Sequence, residues 1–147
     1  MKKNSNFKFV EKCLYDYPKN CAKADVLRLD LEVLRKNGDV KAQNYEYTSR
    51  GSEGGHSDPV LSFVEQVERL ERQIFKLERI TTPITRLTRE LKMSKGIQKK
   101  DFLQVLELCY FEGVSFKEAA FELKVDEKTL FRRRQKLVRL AIEYLGV

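Results

Sequence analysis

The 147-residue chain is long enough for one ordinary domain or two small ones, and its 41% apolar content can build a core. Charged residues reach 35%, while seven glycines and three prolines are too few to punctuate a many-stranded β fold, so an all-α fold with charged outer faces is expected. The net charge of +7 favours a polyanionic partner, and the absence of a run of about eighteen apolar residues argues against a membrane-spanning helix.

In chain order, the basic start Met1-Lys2-Lys3-Asn4 is followed by no apolar h-region, so no secretory signal is expected. Phe7, Val10, Leu14 and Tyr17 recur at helical spacing and predict a helix over 6–17, ended or bent by Pro18. A second helix is read over 20–36. Val26, Leu29 and Val33 form one stripe and Leu27, Leu31 and Leu34 widen it, which implies contact with more than one neighbour. Asn37-Gly38 reads as its stop. Residues 38–57, rich in Gly, Ser, Asn and Asp, lack helical period and read as a mobile loop, with at most a short extended piece at Tyr45–Thr48. Gly51-Ser52-Glu53-Gly54-Gly55 lacks the Lys-Ser/Thr of a phosphate-binding P-loop, and no strand precedes it.

Asp58-Pro59 opens the next helix, with Asp as N-cap and Pro in the first helical position. It is read to about Ile80. Val60, Phe63, Val67, Leu70, Ile74 and Leu77 make a heptad seam, which can pack on the N-terminal helices of the same chain or pair with a second copy. Thr82-Pro83 predicts a kink or a fresh helix, with Ile84, Leu87 and Leu91 continuing the stripe. Lys95-Gly96 breaks the chain, dividing it into a helical N-terminal region, 1–94, and a final domain, 95–147.

That final domain reads as three helices. The first covers about 98–112, with Phe102, Val105, Leu106, Cys109 and Tyr110 apolar and Gly113 closing it. The second covers about 116–123. Ser115-Phe116-Lys117-Glu118 fits a capping box, Ala119-Ala120 allows a close helix crossing, and Phe121 with Leu123 completes the apolar face. Lys124-Val125-Asp126 is the turn: Val125 plugs the angle and Asp126 caps a long third helix, 127–145. On it Leu130, Leu137, Val138, Ala141, Tyr144 and Leu145 share one face, with Phe131 at its edge, while Lys128, Arg132, Lys136 and Arg139 lie opposite. Thr129 and Arg133 flank the cations on one side and Gln135 on the other. An eight-residue helix, a short plugged turn and a basic helix together match a helix-turn-helix. From Lys124 to Arg139 there are seven Lys/Arg against two acids, so much of the excess charge sits there. Arg134 falls inside the apolar arc and needs a partner. Glu118 and Glu122 are candidates, or the side chain reaches past the rim to a phosphate.

Val105-Leu106-Glu107-Leu108-Cys109-Tyr110-Phe111-Glu112-Gly113-Val114-Ser115-Phe116-Lys117-Glu118-Ala119-Ala120, continued by Leu123 through Leu130, resembles a sigma-factor region 4 helix-turn-helix. Thr129-Leu130-Phe131-Arg132-Arg133-Arg134-Gln135-Lys136 with the Ala141–Gly146 tail looks most like the ArpU and RinA type phage transcriptional regulators. The order Tyr17-Pro18, Asp58-Pro59, Thr82-Pro83-Ile84 is similar too. The resemblance implies a small activator of phage or prophage late genes that works with host RNA polymerase in the bacterial cytoplasm. Two departures stand out: Lys124 replaces the usual turn glycine, and no sigma region 2 is recognisable.

The expected partner is double-stranded DNA. Base and groove contacts are expected from Lys128, Thr129, Arg132, Arg133 and Lys136, because Arg reads guanine edges. Phosphate contacts are expected from Ser115, Lys117, Lys124, Arg139, Lys99 and Lys100. A homodimer would use the 59–80 helix. The competing reading is a phage DNA-packaging protein of the small-terminase kind, although such proteins usually carry the DNA-binding unit first. No catalytic His/Cys/Asp/Glu constellation is legible, so neither an enzyme, a cofactor nor a metal site is expected. Cys13, Cys21 and Cys109 form no C-x-x-C and read as reduced thiols, and His56 reads as a surface loop residue.

Overall fold

The computed structural model describes the backbone of residues 2–48 and 59–147 and the side chains of 5–37 and 62–147. Every regular element among them is helical, so the protein is all-α. The helices are α1 (Lys2–Thr48), α2 (Pro59–Met93), α3 (Ile97–Val105), α4 (Phe116–Glu122) and α5 (Glu127–Leu145), and α3 runs on into a wider π-helical turn over Leu106–Phe111. None of them is long and apolar enough to cross a membrane.

The two helices expected over 6–17 and 20–36 are one. Pro18 lies inside α1, although it removes an amide donor and crowds the preceding turn at a cost of about 3 kcal/mol. Burial on both sides of Pro18 offsets that cost: Val10, Cys13 and Leu14 before it and Ala24 and Leu31 after it are all buried. Asn37-Gly38 does not stop the helix either, and the backbone stays helical to Thr48 where a loop was expected. A glycine inside a helix costs only about 1 kcal/mol relative to alanine, too little to end it alone. The remainder of the expected 38–57 loop, with His56 and the glycine cluster, lies outside the described residues. Pro59 is the first residue of α2, as read, and its Asp58 cap lies outside them. Pro83 starts no fresh helix, since α2 continues through it to Met93. The Thr85 hydroxyl donates to the Thr81 carbonyl at 3.0 Å and that of Thr88 to Ile84 at 2.8 Å, both local to this segment.

Packing divides the chain elsewhere than at residue 95. The chain up to Cys21 together with Arg79–Val147 forms one compact unit, and Ala22–Glu78 the other. In the first unit Val10, Cys13 and Leu14 of α1 and Ile84, Leu87 and Leu91 of α2 join Phe102, Val105, Leu106, Cys109 and Tyr110 in one core with Leu130, Leu137, Val138 and Ala141 of α5. The helix-turn-helix therefore shares its core with residues far upstream. Tyr17 stacks on Phe111 with ring centroids 4.9 Å apart, and its hydroxyl meets Thr85 Oγ1 at 2.7 Å. The three cysteines are free, and burial pushes the Cys13 and Cys109 thiols above their ordinary range.

Within the second unit α1 and α2 run antiparallel. Arg28 pairs with Glu78 at 2.6 Å and Arg35 with Glu71 at 2.5 Å, so one step of seven along α1 answers one step of seven back along α2. Of the heptad seam, Ile74 is buried and Phe63, Val67, Leu70 and Leu77 are half-buried, while the Val60 side chain lies outside those described. On α1, Leu31 is buried but Val26, Leu29 and Val33 are exposed, so the wide apolar face is covered on one side only.

Candidate nucleic-acid interface

The last three helices are punctuated by the residues that local rules require. Gly113 takes φ 69° at the end of the π-helical turn, where the Val114 amide donates to the Leu108 carbonyl at 3.0 Å. The Ser115 hydroxyl accepts from the Glu118 amide at 3.2 Å and starts α4. Ala119 and Ala120 are buried, so α5 crosses α4 over their small side chains.

The turn between α4 and α5 is a Schellman motif. The Val125 amide donates to the Ala120 carbonyl at 3.1 Å and the Lys124 amide to the Phe121 carbonyl at 3.2 Å, which places Lys124 at φ 56°. Val125 packs against the core, as expected of the plug. Asp126 caps α5 by accepting from the Thr129 amide at 3.3 Å. That hydrogen bond, with Arg132 nearby, holds the Asp126 carboxyl below the usual carboxylate range.

α5 buries Leu130, Leu137, Val138 and Ala141 and exposes the opposite face. Lys128, Arg132, Lys136 and Arg139 are exposed in a stripe at helical spacing, and Thr129 is half-buried beside it. Ser115, Lys117, Lys124, Lys99 and Lys100 are exposed as well, distributed over α3, α4 and the turn.

Arg133 lies on the flank, as read, with its Nη2 3.5 Å from Asp101 Oδ2 on α3 and both side chains only about a quarter exposed. Two expectations need correcting. Arg134 pairs with neither Glu118 nor Glu122 and does not reach outward. Its guanidinium lies over the rings of Phe116 and Phe131, at 5.2 and 5.4 Å, with Nε 3.9 Å from Glu11 Oε2. The same Glu11 oxygen accepts from the Tyr110 hydroxyl at 2.8 Å, and burial, followed by this carboxylate, pushes the Tyr110 hydroxyl well above its ordinary range. Phe121 does not complete the apolar face of α4. It is 85% exposed, because Ala119, Ala120 and Leu123 fill the side facing the core.

Asp101 and Glu11 were not legible as site residues. Each stands in a charged helical context like many others in this chain, and only the packing of α3 and α1 against α5 brings them beside Arg133 and Arg134.

Fold and site together define an all-α protein whose C-terminal helix-turn-helix presents a cationic helix face to solvent. Comparison with family models, with curated proteins and with solved structures finds no match for the chain.

Proposed function

We propose that this chain is a sequence-specific DNA-binding transcriptional regulator, an activator of phage or prophage late genes acting with host RNA polymerase. One observation carries the reading: Lys128, Arg132, Lys136 and Arg139 form an exposed stripe on a helix whose other face is sealed in the core. A helix anchored in that way can enter a major groove without losing its packing. Its cations neutralise phosphates, and the arginines match the paired acceptors of guanine. The activator role rests on the resemblance of the 105–146 segment to sigma region 4 and to ArpU and RinA type regulators. Pairing of two copies along residues 59–80 belongs to the same reading, because Phe63, Val67, Leu70 and Leu77 keep part of their surface open.

The test is duplex binding by the full chain, followed by selection of preferred sites from fragmented phage and host DNA. Binding to random duplex is expected at about 50 mM salt, weakening steeply as salt rises. Arg132→Ala is expected to lower the preference for the selected site by about 1–3 kcal/mol while changing random binding less. A chain that ignores every duplex at low salt overturns the reading. A ring of many copies in sedimentation would move it toward DNA packaging.

A further inference from the structure

A cleft of about 230 Å³ opens between α3 and the first half of α5. Gln98, Asp101, Thr129, Arg132, Arg133 and Lys136 line it together with Phe102. Three cations thus face one carboxylate. Asp101 is committed to Arg133, whereas Arg132 and Lys136 have no carboxylate within ion-pair distance among the described residues. Thr129 and Gln98 add neutral donors. Gln98 stands in the first turn of α3, whose cap, Gly96, supplies no side-chain acceptor.

We propose that this cleft is a phosphodiester seat, in which Arg133 takes one backbone phosphate of a nucleic acid in exchange for Asp101, its anionic partner in the free protein. This rests on the DNA-binding reading above and reassigns Arg133 from base recognition to backbone positioning. The donor set is the one that oxyanions require: two guanidinium groups that bind in forked geometry, an ammonium, a hydroxyl and an amide. Asp101 selects among anions. A dianion in the cleft would meet its carboxylate at double charge, whereas a diester of the nucleic acid backbone carries a single charge. Asp101 also spares Arg133 from lying unpaired against α3 in the free protein, so binding exchanges one anionic partner for another. Contacts of this kind fix register on the duplex and carry no sequence information.

The experiment measures full-length protein on a random-sequence duplex across a salt series, for the wild type, Asp101→Asn and Arg133→Gln, with circular dichroism to establish folding. Asp101→Asn is expected to tighten random binding by up to roughly fivefold, the effect of removing one partly exposed like charge. Arg133→Gln is expected to weaken it and to lower the slope of log affinity against log salt by about 0.9, the loss of one phosphate contact. In parallel, the Arg133 Nε–H resonance is followed on adding duplex, or sodium phosphate at equal ionic strength. The duplex should shift it, and inorganic phosphate at the same phosphate concentration should not.

Wild-type binding that Asp101→Asn leaves unchanged overturns the seat and leaves the DNA-binding reading intact. So does an Arg133→Gln variant whose affinity for random duplex and salt slope both match the wild type. An equal response to inorganic phosphate assigns the cleft to a free anion and overturns the phosphodiester assignment. Failure of the wild type to bind any duplex removes both readings together. Should Asp101→Asn not fold, the salt slope of Arg133→Gln decides alone.

Discussion

Lys124 is a charged residue in the left-handed region, φ 56°, at the position of the Schellman turn that glycine usually fills. A side chain there costs about 1–2 kcal/mol relative to glycine. Lys124 is exposed, so little packing is expected to be lost when the side chain is removed. Lys124→Gly is therefore expected to raise stability by up to about 1 kcal/mol in urea unfolding, and at the same time to weaken random-duplex binding through the lost cation. Such opposite signs would mean that the chain tolerates strain in the turn in order to hold a charge beside α5. A variant that loses stability would instead mean that the Lys124 stem makes packing contacts of value.

At the level of elements, the first turns of α1 are tied to α5 through Glu11. This carboxylate accepts from Tyr110, which is 1% exposed, and sits 3.9 Å from Arg134 Nε, an atom with no hydrogen-bond partner among the described residues. Removing Glu11 strands a buried hydroxyl and leaves the guanidinium held only by its two aromatic rings. Glu11→Ala is expected to cost about 1–3 kcal/mol in denaturant unfolding. Tyr110 also sets an alkaline limit. Its folded-state pKa is raised by burial and then by Glu11 above the ordinary value of 10.0, so the folded state keeps a proton that the unfolded chain releases. The stabilising contribution is complete below pH 10 and is lost as pH rises beyond it. Tyr110→Phe should flatten that part of the decline when unfolding is followed between neutral and strongly alkaline pH. An unchanged profile would assign the decline to other groups.

Across the whole molecule, the two compact units are stabilised by different means. The first unit has a continuous apolar core from Val10 to Ala141, while the described part of the second buries Ala24, Leu31 and Ile74 and pairs Arg28 with Glu78 and Arg35 with Glu71 at the surface. Exposed ion pairs contribute about 0–1 kcal/mol each, whereas truncating a buried isoleucine costs about 2–5 kcal/mol. Arg35→Ala is accordingly expected to leave the unfolding midpoint nearly unchanged and Ile74→Ala to lower it clearly. The reverse order would mean that charge register, not the apolar seam, holds α1 against α2 in this unit.

Periodicity and punctuation in the sequence determined the helical class, the three final helices, the caps at Ser115 and Asp126, the plug at Val125 and the outward cationic face of α5. Each of these depends on residues within a turn or two of one another, and local chemistry decides them. Tertiary structure alone decided that α1 continues through Pro18 and α2 through Pro83, since a proline penalty of about 3 kcal/mol is settled by the packing on either side. It alone decided the partners of Arg133 and Arg134 and the exposure of Phe121. Asp101 and Glu11 meet α5 only because distant segments share one core with it. Spacing along one helix shows which face a charge occupies, but not which opposite charge another helix brings to it.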